Sequence, residues 1–156
     1  MVALSGLEDR TGLDRAYSTR KGLYEAGDTL FIAGTKSLPD AYDDLKIPFR
    51  ATSQAERHRE ASLVLDANPK LARVVGHSLG GSVALDLQQR NPNLHSVTYG
   101  APVLSFNPFA SNERYRHTGD PISAFDWGAE SWLPPKSGNP HSYQDLAARW
   151  HDFPTV

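Results

Sequence analysis

The stretch Gly76-His77-Ser78-Leu79-Gly80 decides the fold, because it lies between a buried apolar run and a segment with apolar residues at helical spacing. These flanks predict a strand that passes into a helix through a sharp turn. A serine at such a turn adopts a strained backbone conformation. Side chains two residues before and after it would collide, so glycine is needed at both places. The pattern predicts Ser78 as a nucleophile supported by Gly76 and Gly80.

Glycine-rich turns between a strand and a helix also bind phosphate, which is the second interpretation of this stretch. However, the glycine spacing differs from G-x-G-x-x-G, and no lysine follows as in a P-loop. The predicted helix N-terminus also places its dipole and the free N–H of Leu79 where negative charge develops during attack on an acyl carbon. The nucleophile interpretation is therefore favoured.

Composition and charge exclude several functional classes. The 156 residues predict one domain over 1–156, long enough to bury a hydrophobic core. A net charge of -2 gives no basic excess that would indicate a nucleic-acid partner. The absence of cysteine excludes disulfides, thiolate metal sites and cysteine catalysis. No apolar run has the length of a signal peptide or a transmembrane segment, which indicates an intracellular protein or a domain cut from a larger one.

The remaining pattern predicts an α/β domain with a mainly parallel sheet and helices on both faces. Residues 1–20 show little patterning, and Ser53 to Glu56 form a capping box that starts a helix ending near Ala67. Further helices are predicted directly after Ser78 and from about Ser142. Because ligands bind at the carboxyl ends of parallel strands, the nucleophile falls where a site is expected. Predicted strands cover 22–27, 29–34, 47–49, 71–76, 96–99 and 114–118.

A serine nucleophile needs a base, and the base needs an orienting acid. In α/β-hydrolases their order along the chain is serine, acid, histidine. Asp120 follows a predicted strand, as a triad acid does, whereas Asp86 lies inside a predicted helix. His141 lies in a turn-rich loop and is the predicted base, with His151 as its competitor near the end of the chain. His95 precedes Asp120 and therefore has the wrong order.

In chain order the sequence contains Gly34-Thr35, Asp40-Ala41-Tyr42-Asp43-Asp44-Leu45, Gly76-His77-Ser78-Leu79-Gly80-Gly81, Tyr99-Gly100-Ala101-Pro102, Asp120-Pro121, Leu133-Pro134-Pro135 and His141. Taken in this order, these motifs resemble those of the fungal-type triacylglycerol lipases, also called class 3 lipases. The resemblance covers approximately residues 30–141. Ala33 stands where the family usually has arginine, Ala41 stands where it has tryptophan, and the chain is much shorter than a typical member.

The resemblance implies a minimal α/β-hydrolase fold. It also implies an oxyanion hole formed by the backbone N–H groups of Thr35 and Leu79, with Asp44 holding the Thr35 hydroxyl in place. A solvated loop acid beside Asp43 is the alternative interpretation of Asp44. The chemistry of such a site needs no metal and no organic cofactor.

The expected activity is the cleavage of carboxylic esters through an acyl-enzyme, as in a lipase, phospholipase or esterase. Two alternatives remain, because fold and triad alone do not exclude them. One is a non-catalytic binding module on the same fold, and the other is a different acyl-transfer enzyme, such as a thioesterase, peptidase or acyltransferase. The expected partner is a lipid or a small ester, met in solution or at a membrane or micelle surface.

Two further segments bear on how a substrate would enter the site. The segment 36–42 has too few apolar positions for an amphipathic lid helix, so we expect an open site. Trp132 lies in a turn-rich loop beside Pro134 and Pro135. It is predicted to form an exposed rim that touches lipid or an acyl chain.

Overall fold

The structure is a computed structural model that describes residues 2–34, 49–101, 112–117 and 130–132. Within these ranges the chain forms three helices and six strands. In chain order the elements are α1 (Val2–Ser18), β1 (Leu23–Ala26), β2 (Thr29–Ile32), α2 (Phe49–Ala67), β3 (Arg73–His77), α3 (Leu79–Arg90), β4 (His95–Tyr99), β5 (Asn112–His117) and β6 (Glu130–Trp132).

The described strands form one sheet in the order β1-β2-β3-β4-β5-β6. β1 pairs antiparallel with β2, and every later pair is parallel. The register aligns Ile32 with Gly76 and His77 with Tyr99, so the carboxyl ends of β2, β3 and β4 meet at one edge. The predicted α/β class with a mainly parallel sheet is confirmed.

Helices cover both faces of the sheet, as predicted. On one face α1 buries Leu13 and Ala16 against strand residues that include Phe31, Val75 and Val97. On the other face α2 and α3 pack against the alternate positions of the same strands, and this core comprises Leu30, Ile32, Ala61, Leu71, Val74, Val83, Ala84, Leu87 and Leu94. Because β2 and β3 are buried on both faces, their sequences are continuous apolar runs rather than alternating ones.

Three local predictions need correction. Residues 1–20 contain α1, which the sequence pattern did not predict. α2 already begins at Phe49, so Ser53 lies inside the helix instead of capping it, and Phe49 is not in a strand. Trp132 is the last residue of β6, paired in register with His117, rather than part of a loop. α1 and β6 are held by packing and pairing with residues elsewhere in the chain, and the spacing of a capping box also occurs inside helices.

A buried ion pair anchors α1 to the sheet. Asp9 has 1% of its surface exposed, and its carboxylate accepts hydrogen bonds from Arg73 at 2.7 and 2.8 Å. The Tyr99 hydroxyl donates a third hydrogen bond to Asp9 at 2.7 Å. Burial raises the pKa of Asp9, while the bonds from Arg73 and Tyr99 act in the opposite direction. A carboxylate this deep is tolerated because its acceptor positions are occupied.

We expect Asp9→Asn to lower the free energy of unfolding by about 3 kcal/mol, because it leaves Arg73 without its buried counter-ion. Urea unfolding followed by circular dichroism measures this change. Asp66→Asn, at an exposed position of α2, is the control and should change stability by about 0.5 kcal/mol or less. Similar unfolding midpoints for the two variants would contradict an anchoring role for Asp9.

Candidate active site

Ser78 occupies the turn between β3 and α3 with φ 57° and ψ -128°. Among the described residues it is the only one other than glycine with a positive φ. The Ser78 N–H donates to the carbonyl of Tyr99 at 3.1 Å, and its own carbonyl accepts from the N–H groups of Gly81 and Ser82 at 2.9 and 3.3 Å. Hydrogen bonds on both sides of the residue therefore hold a backbone conformation that costs on the order of 1–3 kcal/mol.

The flanking glycines leave no room for side chains. A methyl group built on Gly76 would overlap the backbone of Gly80, which is the collision expected from the sequence. A methyl group on Gly80 would overlap the carbonyl oxygens of Ile32 and Ala33. The beginning of α3 is thus pressed against the end of β2 as well as against β3.

The chain leaving β2 passes directly beside the nucleophile candidate. A Cβ atom built on Gly34 would lie 2.8 Å from the Cβ of Ser78 and 2.9 Å from the carbonyl oxygen of His77. Thr35, one predicted oxyanion donor, follows Gly34 but lies outside the described residues. Leu79, the other predicted donor, is the first residue of α3. Its N–H is among the first four of a helix, which have no acceptor within that helix.

Tyr17 of α1 connects these two segments and was missed by the sequence reasoning. Its hydroxyl accepts a hydrogen bond from the Gly34 N–H at 3.0 Å and lies 2.5 Å from Nδ1 of His77. The Tyr17 hydroxyl therefore links the Gly34 peptide to the His77 ring. Burial raises the pKa of Tyr17 to about 12, so the hydroxyl keeps its proton at neutral pH.

Ser78 is buried, with 1% of its surface exposed. Gly34 lies against one side of it, and the backbone of Tyr99 is hydrogen bonded on another. The predicted open site concerns the segment 36–42, which lies outside the described residues, so it stays a prediction.

The predicted partners Asp120 and His141 lie outside the described residues, as do Asp44 and the competing His151. The structure brings together Ser78, Leu79 and the segment that leads into Thr35. β5 runs parallel to β4 and ends at His117, shortly before Asp120 in the chain. The chain therefore leaves β5 at the same edge of the sheet as Ser78.

Two acid–histidine pairs in the described part of the chain lie away from this edge. Asp86 lies 2.6 Å from Nε2 of His58 and 3.2 Å from Arg90, between α2 and α3. His95 and Glu113 are 2.7 Å apart near the amino ends of β4 and β5, and the bond from His95 holds the pKa of Glu113 below its usual range. These positions are consistent with the predicted triad, which does not include Asp86 or His95.

No protein-family model matches this chain, and neither does any curated protein. Over the residues that the structure describes, no group of three or more histidine, aspartate or glutamate side chains could hold a metal ion. None of the helices in those same ranges has the length and apolar character needed to cross a membrane.

We expect Tyr17→Phe to lower kcat for p-nitrophenyl butyrate about tenfold while KM changes little. The variant removes the acceptor that orients the peptide before Thr35, and loss of a whole oxyanion donor costs on the order of 10²–10³ in kcat. Tyr24→Phe is the matched control, because Tyr24 is half-buried on the same face, with its ring centroid 6.2 Å from that of Phe31. Equal kinetics for both variants would contradict a positioning role for Tyr17.

Proposed function

We propose that this protein is a serine hydrolase with an α/β-hydrolase fold that cleaves carboxylic esters, with Ser78 as nucleophile and Asp120 and His141 as its triad partners. The observation that carries the proposal is the backbone of Ser78, which holds φ 57° at a strand-to-helix turn. Glycine would adopt this conformation without strain, so folding alone gives no reason for a serine there. Strained residues cluster at active sites, where the strain fixes a reacting group.

The proposed mechanism follows the serine-hydrolase scheme. His141 accepts the proton of the Ser78 hydroxyl as its oxygen attacks the acyl carbon, and Asp120 orients the imidazole and stabilises its charged form. The N–H groups of Leu79 and Thr35 stabilise the oxyanion. His141 then protonates the leaving alcohol, and water hydrolyses the acyl-enzyme by the same proton route.

The proposed fold and the strand-to-helix turn at Ser78 are also compatible with two other functions. The same machinery cleaves thioesters or amides in other enzymes, so ester specificity rests on the family resemblance rather than on the geometry. The same fold can also serve as a non-catalytic binding module. A panel of ester, thioester and amide substrates with the same acyl group separates these functions: preference for the ester supports the proposal, and no turnover of any substrate would contradict it.

We expect Ser78→Ala to reduce hydrolysis of p-nitrophenyl butyrate by about 10⁴ or more, as triad losses do in serine proteases. Ser62→Ala, on α2 and away from the turn, should retain activity. His141→Asn should be nearly inactive, whereas His151→Asn should keep most of the activity, and the reverse result would move the base to His151. An active Ser78→Ala enzyme would refute the proposed nucleophile.

The pH dependence of kcat/KM tests the histidine base. The base acts only when neutral, so the rate should rise through the usual histidine pKa of about 6.5 and level off above it. Asp120 as partner stabilises the charged imidazole and moves the midpoint upward. Tyr17, whose pKa burial raises to about 12, adds no transition in this range. A rate that stays constant from about pH 5 to 9 would contradict a histidine base.

A further inference from the structure

A cavity of about 400 Å³ lies between the segment after α1 and the helix α2. Ser78 is not among the described residues that line it. Among the described residues, its lining consists of Arg20, Lys21, Glu56, Arg57 and Glu60. Three cations against two carboxylates give the described lining of this cavity, here called the arginine cavity, a net positive charge.

The two carboxylates of the described lining are not shared equally among its three cations. The Glu60 carboxylate lies 3.1 Å from Nζ of Lys21 and 3.6 Å from Nη2 of Arg59, so it already has two cationic partners. Within the described residues neither Arg20 nor Arg57 forms an ion pair. Because Lys21 is paired with Glu60, the cations left in the described lining are the guanidinium groups of Arg20 and Arg57, and Glu56 is the carboxylate whose charge acts on Arg57.

Arg57 is the better placed of these two groups. It is half-buried, its guanidinium covers Gly22, and it donates a hydrogen bond to the carbonyl of Ala33. A carbonyl occupies one of the five N–H donors of a guanidinium and neutralises none of its charge. Cations removed from water are normally paired, so an arginine in this setting is suited to receive an external anion.

The arginine cavity is connected to the nucleophile through one peptide. Arg57 bonds to Ala33, and the next residue, Gly34, is packed against Ser78. From standard backbone dimensions, the guanidinium and the Ser78 side chain are roughly 10 Å apart at most. The alcohol part of a glycerol ester can span a comparable distance between its acyl carbon and a charged group at its other end.

We propose that the arginine cavity is a subsite for an anionic group of the ester substrate, with Arg57 as its main ligand. The ligand is an oxyanion group such as a phosphate, which a planar guanidinium binds through two parallel hydrogen bonds. This inference rests on the proposed function, and it specifies a substrate class: esters that carry a negative charge on the alcohol side. The peptide between Arg57 and Ser78 sets the distance from that charge to the scissile bond.

The test compares two soluble substrates that differ only in the charged group, monobutyryl glycerol 3-phosphate and monobutyryl glycerol. The measured quantity is the ratio of their kcat/KM values, in which any general loss of activity cancels. The wild-type ratio should favour the phosphate ester. In Arg57→Gln the ratio should fall about ten- to a hundredfold, the usual contribution of hydrogen bonds to a charged group. A ratio near one in the wild type would overturn the inference and leave the ester hydrolase proposal intact.

Two further variants separate the subsite from nonspecific charge effects. Arg59→Gln removes a charge two residues along the same helix, outside the cavity lining, and should leave the ratio unchanged. Arg20→Gln alters an exposed residue of the lining and should lower the ratio by a smaller factor than Arg57→Gln, without affecting folding. Equal decreases for Arg59→Gln and Arg57→Gln would overturn the inference.

Calorimetric titration with glycerol 3-phosphate tests the site without turnover. We expect glycerol 3-phosphate to bind the Ser78→Ala variant and not the double variant that also carries Arg57→Gln. This result would support the subsite even if neither ester were hydrolysed and the proposed function failed. Inorganic phosphate binding as tightly as glycerol 3-phosphate would identify a site for the free anion and overturn the assignment to substrate. No binding of either anion would also overturn it.

Discussion

The strained backbone of Ser78 is the constraint on which the arrangement of the site depends. A φ of 57° at this residue turns the chain from β3 into α3 without an intervening loop. The turn is possible only because Gly76, Gly80 and Gly34 let three backbone segments approach one another without side chains. The ends of β2, β3 and β4 are thereby fixed around one hydroxyl, and the strain is offset by packing and hydrogen bonds from all three.

The helix α1 ties this edge of the sheet to the opposite one. Its Asp9 binds Arg73 at the start of β3, and its Tyr17 binds Gly34 and His77 at the carboxyl ends of β2 and β3. From Asp9 to Tyr17 the helix rises about 12 Å. From Arg73 to His77 the strand rises about 13 Å, which is nearly the same length. α1 therefore binds the sheet through the Asp9 carboxylate, which contacts the start of β3, and through the Tyr17 hydroxyl, which contacts the carboxyl ends of β2 and β3.

Local sequence patterns predicted β2 and the strand, turn and helix around Ser78, but they did not predict α1 or the correct start of α2. β2 and the strand–turn–helix around Ser78 were predicted because continuous apolar runs and glycines mark them within a few residues. α1 was missed because its buried face includes Asp9 and Tyr17, whose burial is stabilised by Arg73, Gly34 and His77 far along the chain. The capping box at Ser53 misplaced the start of α2, since the same spacing also occurs inside a helix. The sequence patterns did not indicate a role for Arg57, because its contact with Ala33 forms only in the folded chain.

The most direct test of the proposed function is covalent labelling with a fluorophosphonate probe, followed by mass spectrometry of the digested protein. A serine activated by a histidine base attacks phosphorus and keeps the phosphonyl group, whereas an ordinary serine does not react. The proposed mechanism predicts one adduct, on the peptide containing Ser78, which disappears in Ser78→Ala and forms far more slowly in His141→Asn. Absence of any adduct, or an adduct on another serine, would contradict it.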